Sequence, residues 1–554
     1  MEPSDDAAKL AFQLKLATAA LATRRVEQAM RHFRQALALE PRNIELSYRV
    51  LATLVRSELL TEAEQLARWL LAQEPERADR YIALGRVLSK QRRFSEAIAA
   101  FRQAIVLEPN NVVVTTPLVE ALATLGRVDE TVTLLERAIA IAPALVAEHA
   151  SLVFQTTFSS RSDAEKLAAA RRFSDQHAAP LVAKRQPHPH ARDPERRLRI
   201  GYVSPDFRRH VQRLFTLPVF SHHDRAAHEI VCYSSVKAPD EFTARIKAVS
   251  DEWHDVAGLD DAQLAQKIRD DRIDVLVDLT MHMVHGRLRT FAEKPAPVQI
   301  TWLAYPGTTG LSGMDYRITD PFLDPPGAPL PYSEKSLWLP HSFWCYGPDA
   351  DESRVAEPPQ RSAGYVTFGC LNNFMKVNRA TLELWAKVLV ANAGSRLLML
   401  APEDWARAFV REVLAANGVE PERVEFVDFQ SREKYLETYG RIDIALDTLP
   451  YPGHTTSLDA YWMGVPVVTL VGETIVARAG LSFASNLDLL DWVAREPAEL
   501  VRIATRFAND PTHLAALRGE LRQRLQSSPL MDAAGFAGHL EAAYRQAWRE
   551  YCAG

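Results

Sequence analysis

The sequence predicts a helical repeat array followed by two α/β lobes, each built on a parallel sheet. Three observations carry this: a 34-residue period over the first 145 residues, a polar proline-bearing stretch near residue 190, and alternating short apolar strands and helices beyond it. At 554 residues the chain exceeds what a single core serves, so several domains are expected.

The period is read from "ALEPRN", "AQEPER", "VLEPNN" and "AIAPAL", whose prolines, Pro41, Pro75, Pro109 and Pro143, stand 34 residues apart. Ala29, Ala63, Ala97 and Thr131 keep the same phase, as do Ala36, Leu70, Ala104 and Ala138, with Phe33 and Phe101 between them. Small residues let paired helices approach, and large ones fill the gap. This pattern is similar to the tetratricopeptide repeat, most clearly over Tyr81, Leu84, Gly85, Ala97, Phe101, Ala104 and Pro109. Such helix pairs cannot bury their apolar faces alone, so they stack into a superhelix whose concave groove holds peptides or protein surfaces. "SDAEKLAAARRFSDQHAAPLVAKR" continues as irregular closing helices. "QPHPHARDPERR" then reads as a solvated linker in which His188 and His190 bind no metal.

From Leu198 the period changes. Strands "LRIGYVS", "EIVCYSS", "IDVLVDLT" and "VQITWLAYP" surround the helix "DDAQLAQKIRDD". A second series runs from "YVTFGCLN" through "SRLLMLAP", "RVEFVDF" and "IDIALDT" to "PVVTLVG", with helices between. Strand–helix alternation implies parallel sheets covered on both faces, hence two Rossmann-like lobes. The proline-rich "DPFLDPPGAPLPYSEKSLWLP" reads as a connection between them. The expected divisions are residues 1–145, 146–196, 197–355 and 356–554, the last carrying the terminal helices.

Composition narrows the function. The 65 basic and 70 acidic residues nearly balance, which gives no whole-chain case for nucleic acid or anionic membrane. No apolar run approaches the roughly 20 residues that span a bilayer, and "MEPSDDAAKL" lacks a basic-then-apolar signal. Four scattered cysteines without a CxxC pair fit a reducing cytoplasm, where they serve as buried packing residues. Neither GxGxxG nor GxxxxGK[ST] follows a first strand, which disfavours a dehydrogenase or P-loop reading.

In open parallel sheets, ligands sit beyond the carboxyl ends of strands, often at a helix start. "GHTTSLDAYWMG" follows "IDIALDT" and places Gly453, His454, Thr455 and Thr456 there, with helix from about His454 to Gly464. Thr456 and Asp459 also have capping-box spacing. The DxD-like "DADE", Asp349 to Glu352, falls outside the sheets and reads as solvated surface.

The repeats followed by "GYVSPDFRRH", "WLAYPGTTG", "MDYRITD", "NNFMKVN", "LDTLPYPGHTTSLDAYWMGVPVVTL" and "GETIVAR" resemble the O-linked N-acetylglucosamine transferases, nucleotide-sugar enzymes of the GT-B fold. The resemblance covers essentially the whole chain and is closest to bacterial members with few repeats. It implies transfer of N-acetylglucosamine from its UDP donor to protein serine or threonine, inverting, with no metal or cofactor. It implies His210 as general base, or as a neutral donor to sugar or phosphate, with Asp240 and His282 in reserve and Asp278 beside His282. Lys376 would meet the donor phosphate, with Asn373 at the family's usual glutamine position. His454, Thr455 and Thr456 would hold the diphosphate and Asp459 the ribose. Gln430 and Arg432 lie on the base side, Tyr435 falls where relatives place a base-stacking histidine, and Leu303 and Ala304 line the nucleotide-sugar site. Met281 stands where the family often has glycine. The alternatives are fucosyl transfer from a GDP donor and a non-catalytic repeat scaffold that binds nucleotide.

Overall fold

The structure, a computed structural model, describes residues 5–41, 43–328, 331–349 and 354–554. Met1–Ser4 of the acidic start and Ala350–Glu352 of "DADE" lie outside the described residues. Compactness divides the chain into Met1–Leu125 and Gly126–Gly554, ahead of the expected end of the array at 145.

In the first unit, helices pair as Asp5–Ala22 with Val26–Leu39, Ile44–Arg56 with Leu60–Gln73, and Ala78–Lys90 with Phe94–Leu107, and Thr115–Thr124 follows. The small-residue phase is its core: Ala29, Ala36, Ala63, Ala97 and Ala104 are fully buried. Gly85 shows why size matters, since a Cβ there would lie 2.5 Å from the Phe101 ring. Arg80, 2% exposed, ties successive pairs together by donating to Glu74, Ser47 Oγ and Pro41 O.

In the second unit, the closing helices Val146–Thr156 and Asp163–Phe173 pack through Val153, Ala170 and Phe173 into the core that also holds Val203, Tyr233 and Phe291 of the first lobe. Among the described residues that lobe contains seven strands: β1 (Leu198–Ser204), β2 (His228–Ser234), β3 (Glu252–Asp255), β4 (Val275–Asp278), β5 (Val298–Thr301), β6 (Tyr316–Thr319) and β7 (Lys335–Trp338). All are parallel, in the order β3-β2-β1-β4-β5-β6-β7. The second lobe holds β8 (Thr367–Cys370), β9 (Arg396–Leu400), β10 (Val424–Val427), β11 (Ile444–Leu446), β12 (Val467–Leu470) and β13 (Val493–Ala494), in the parallel order β10-β9-β8-β11-β12-β13. Two facing parallel-sheet lobes constitute the expected GT-B architecture.

Four local readings change. The proline-rich connection contributes the edge strand β7, because its short "KSLW" run pairs with β6. The last helix, Ala533–Ala553, expected with the second lobe, packs on the first: Tyr544 OH meets Tyr202 OH at 3.1 Å and Glu541 accepts from His223 Nδ1 at 2.8 Å. The linker expected in solvent is clamped by that helix: Trp548 Nε1 donates to Asp193 O at 2.9 Å, Arg196 lies over the Trp548 ring, and His190 Nε2 stands 3.7 Å from buried Asp274. Asp349 also departs from free surface, accepting from Arg213 and Arg245. Cys232, Cys345 and Cys370 are buried free thiols, and Cys552 is half-buried. Among the described residues no helix is long and apolar enough to cross a membrane.

Candidate donor-binding site

The site begins where β11 ends. Asp447, 4% exposed, accepts from Gly453 N at 2.6 Å, Thr448 N at 3.0 Å and Thr469 Oγ1 at 2.9 Å, so one carboxylate closes the turn 448–453 against β12. Burial pushes its carboxyl above the usual range, opposed by these donors and by Lys376. Thr448 Oγ1 donates to Tyr451 O and accepts from Asn372, a residue of the neighbouring β8 loop. Gly453 is required by close approach: a Cβ would fall 2.2 Å from Ser457 Oγ and 3.0 Å from Asn372 Oδ1.

The helix that follows spans Thr455–Trp462, shorter than the sequence reading. His454 is its N-cap residue and no side chain caps it, so the capping box expected of Thr456 and Asp459 does not form. The reason is placement: Thr456 already lies inside the first turn. Among the described residues neither the Thr455 nor the Thr456 hydroxyl has a hydrogen-bond partner, and both residues keep some exposure. The first amides of the helix add further donors of the kind that favour anions. The His454 ring is boxed, with Trp344 edge-on at 5.0 Å and Tyr451 at 4.7 Å, while Phe158 stacks on the far side of Tyr451 at 4.5 Å. Burial, then the neighbouring Lys376, holds its pKa well below the ordinary value. The imidazole is therefore neutral, and its Nε2 has no partner.

Lys376 closes the single 3-10 turn Phe374–Lys376 after β8, the strand beside β11. Its Nζ donates to Pro452 O at 2.7 Å and lies 4.4 Å from the Tyr451 ring centroid. Crowding by protein atoms lowers its pKa to about 8, although Asp447 favours the charged form. Asn373 caps this turn, accepting from Met375 N at 3.1 Å. The turn also rests on Gly126, whose Cβ position lies 2.9 Å from both Phe374 O and Val377 O at φ +70°. Gly126→Ala must strain its own backbone and displace the Lys376 turn. Its expected result is turnover lowered about tenfold at saturating donor, with a smaller change in donor affinity, measured by steady-state kinetics.

Asp459, expected at the ribose, is engaged within the protein. Its carboxylate, 1% exposed, is filled by four donors: Tyr346 OH at 2.6 Å, Arg432 at 2.6 and 2.7 Å, and Tyr435 OH at 3.0 Å. Residue 459 is one turn into the helix and faces inward, so Asp459 organises Arg432 and Tyr435. Tyr435 is held edge-on to Tyr439 and by its hydroxyl, leaving its ring partly exposed. Gln430 is exposed and accepts from Thr438 Oγ1 at 2.9 Å.

In the first lobe, His210, His282 and Leu303–Ala304 follow β1, β4 and β5, which are adjacent in the sheet. His210 is half-buried with Nδ1 3.8 Å from Asp206 Oδ2; burial lowers its pKa although Asp206 opposes the shift, which favours the neutral base form. Asp240 is engaged by backbone donors. Burial pushes its carboxyl up, but backbone N–H groups of Arg209, Phe242 and Thr243 outweigh that and hold it low. It caps the helix Glu241–Ala248 and, through Arg209, pins the His210 loop. His282 is 1% exposed, bonded through Nε2 to Thr309 O at 2.8 Å, and burial holds it at about 4. Asp278 accepts from Thr280 N, Met281 N and Thr301 Oγ1, and burial raises it to about 6. Met281 has φ +48° and Leu303 φ +77°, left-handed positions that favour glycine. The second is backbone strain at the candidate site. Ala304 N folds back to Trp302 O at 3.0 Å.

The structure thus gathers Lys376, His454, Thr455 and Thr456 around one turn, and Arg432, Tyr435 and Asp459 around another. Asp447, Trp344, Tyr346 and Phe158 escaped the sequence reading. Asp447 lay inside a quoted motif without a role, and the aromatics sit in segments whose periodicity gives no signal.

The profile of glycosyl transferase family 41 matches residues 146–350 and 359–540, and that of the tetratricopeptide repeat matches 78–111. The chain belongs to glycosyl transferase family 41. A solved mutant of the Thermobaculum terrenum O-GlcNAc transferase is 33% identical to this family 41 chain, with TM-score 0.83, covering 100% of this chain and 99% of its own. The Petunia hybrida "Probable UDP-N-acetylglucosamine--peptide N-acetylglucosaminyltransferase SPINDLY" is 39% identical over 66% of this chain and 40% of its own length. The similarly described SEC of Arabidopsis thaliana is 31% identical over 65% and 38%. The family 41 chain therefore spans about two fifths of the length of the curated relatives it matches.

Proposed function

We propose that this chain moves N-acetylglucosamine from UDP-N-acetylglucosamine to serine or threonine hydroxyls of proteins in the cytoplasm, with inversion and without a metal. The observation that carries the reading is the cluster of Lys376, a neutral boxed His454 and two unpartnered threonine hydroxyls at a helix start, beyond adjacent strands β8 and β11. Hydrogen-bond donors aimed at one place suit a diphosphate leaving group. The names of the relatives supply the sugar and the nucleotide.

As the bond from the anomeric carbon to diphosphate lengthens, negative charge grows on the leaving oxygen, and Lys376 with the helix start stabilises it. The acceptor hydroxyl attacks from the opposite face and gives its proton to neutral His210. Asp206, 3.8 Å from that ring, stabilises the imidazolium that forms. Arg432 and Tyr435, held by Asp459, form the wall for the base. Protein acceptors are the partners, engaged by the repeat groove.

Titration calorimetry tests the donor. UDP is expected to bind at least about tenfold more tightly than GDP, about 1.4 kcal/mol. Tight GDP binding without UDP binding would replace this reading with a guanosine-nucleotide donor. Nucleotide binding with neither transfer nor donor hydrolysis would leave a scaffold.

A further inference from the structure

The first unit carries a cavity of about 590 Å³ among the helices Ile44–Arg56, Ala78–Lys90 and Thr115–Thr124. Its walls are largely apolar, formed by Leu51, Val55, Val87, Pro117 and the Tyr48 ring. The Tyr48 hydroxyl is engaged with Asp79 O at 3.2 Å, which leaves the ring as an apolar wall.

Two cations line this cavity. The Arg86 guanidinium stands 5.5 Å from the Tyr48 ring centroid, and Lys90 lies one turn further along the same helix. Among the described residues neither has a carboxylate partner. Neighbouring arginines of the same unit do: Arg77 pairs with Glu74 and Asp79, and Arg93 with Glu64 and Glu96. Glu120 is the one acid in the lining. Packing does not explain Arg86, because the 34-residue period puts Ala52, Arg86 and Glu120 at equivalent exposed positions, and the fold accepts any of them. Two unpaired cations over an apolar floor are complementary to a chain that alternates carboxylates with a large apolar side chain.

We propose that this cavity docks an extended acidic segment of a partner protein, with one apolar side chain against Val55, Val87 and Pro117 and flanking Asp or Glu carboxylates against Arg86 and Lys90. Docking stands independently of the transferase reading, and only the partner's further role as acceptor rests on it. The attraction is partly solvent-exposed, so it weakens with ionic strength.

The test uses the full chain and a fluorescein-labelled 12-residue peptide containing one central leucine and flanking aspartates, read by fluorescence anisotropy. Binding is expected to fall at least tenfold when the aspartates are replaced by lysines, when the leucine is replaced by serine, and in the double variant R86E/K90E. Both substituted side chains are exposed, and an unchanged melting curve verifies that the variant folds. Equal binding of the aspartate and lysine peptides, or an unaltered affinity in R86E/K90E, overturns the proposal. A folded K90E/R86E chain that exchanges preference and takes the lysine peptide supports it directly. UDP calorimetry on the same preparation separates the two readings: peptide docking without UDP binding defeats only the transferase reading, and UDP binding without peptide docking defeats only this one.

Discussion

Lys376→Met lowers transfer by about 100-fold or more, the magnitude expected when a positioned donor to developing negative charge is removed. Methionine keeps an unbranched apolar stem over the Tyr451 ring, so the loss is that of the ammonium and its bond to Pro452 O. The pH profile carries a second signature. Because crowding lowers Lys376 to about 8, the ammonium gives up its proton above that pH, and wild-type turnover declines on the alkaline side. On the acid side it declines as His210 takes up a proton, below the ordinary histidine range. In Lys376→Met the residual rate keeps the acid limb and loses the alkaline one. Lys376→Arg, permanently charged, is expected to keep more activity than the methionine variant and to extend the plateau upward. Turnover unchanged in Lys376→Met, measured by transfer to protein or by donor hydrolysis, removes the role assigned here.

Asp447→Ala has the second large effect, on stability and on the site together. It leaves the amides of Gly453 and Thr448 and the Thr469 hydroxyl without their shared acceptor in a buried setting. Such losses cost about 1–3 kcal/mol for each group left unsatisfied, reduced where the turn relaxes, so a total of about 3 kcal/mol is expected in denaturant unfolding. UDP affinity falls with it, since the turn presents His454, Thr455 and Thr456. Asp447→Asn keeps the shape and one acceptor oxygen, and so is milder in stability. Its electrostatic consequence is separable: Asp447 favours the charged form of Lys376, so removing the carboxylate moves the alkaline limb below about 8. An alkaline limb that stays in place in a folded Asp447→Asn protein contradicts the coupling between the two groups.

The repeat phase was legible because it is a local property: Ala29, Ala63 and Ala97 recur at one spacing, and a small residue at that spacing is buried wherever helices pair. The main strands were legible for the same reason, as short apolar runs between helices. β3, β6, β7 and β13 were not: β3, β7 and β13 are half-exposed or two-residue edge strands defined by the neighbour they pair with, and β6, four buried residues between β5 and β7, follows β5 with no helix between to mark the alternation. The placement of His454, Thr455 and Thr456 followed from the rule that loops at strand ends carry ligands, and that of Lys376 from the family resemblance of "NNFMKVN". The hydrogen-bond partners of Asp240, His282 and Asp459 did not follow, since other segments supply them.

By itself, then, the sequence determined the helical array, the two parallel-sheet lobes and the turn that bears His454, Thr455 and Thr456, because periodicity and turn chemistry act over a few residues. Tertiary structure alone decided that Asp459 belongs to Tyr346, Arg432 and Tyr435, that Asp447 anchors the turn, and that the last helix returns to the first lobe. Hydrogen bonds and buried charges act at about 3 Å between groups far apart in the chain, and no spacing along a sequence encodes that distance.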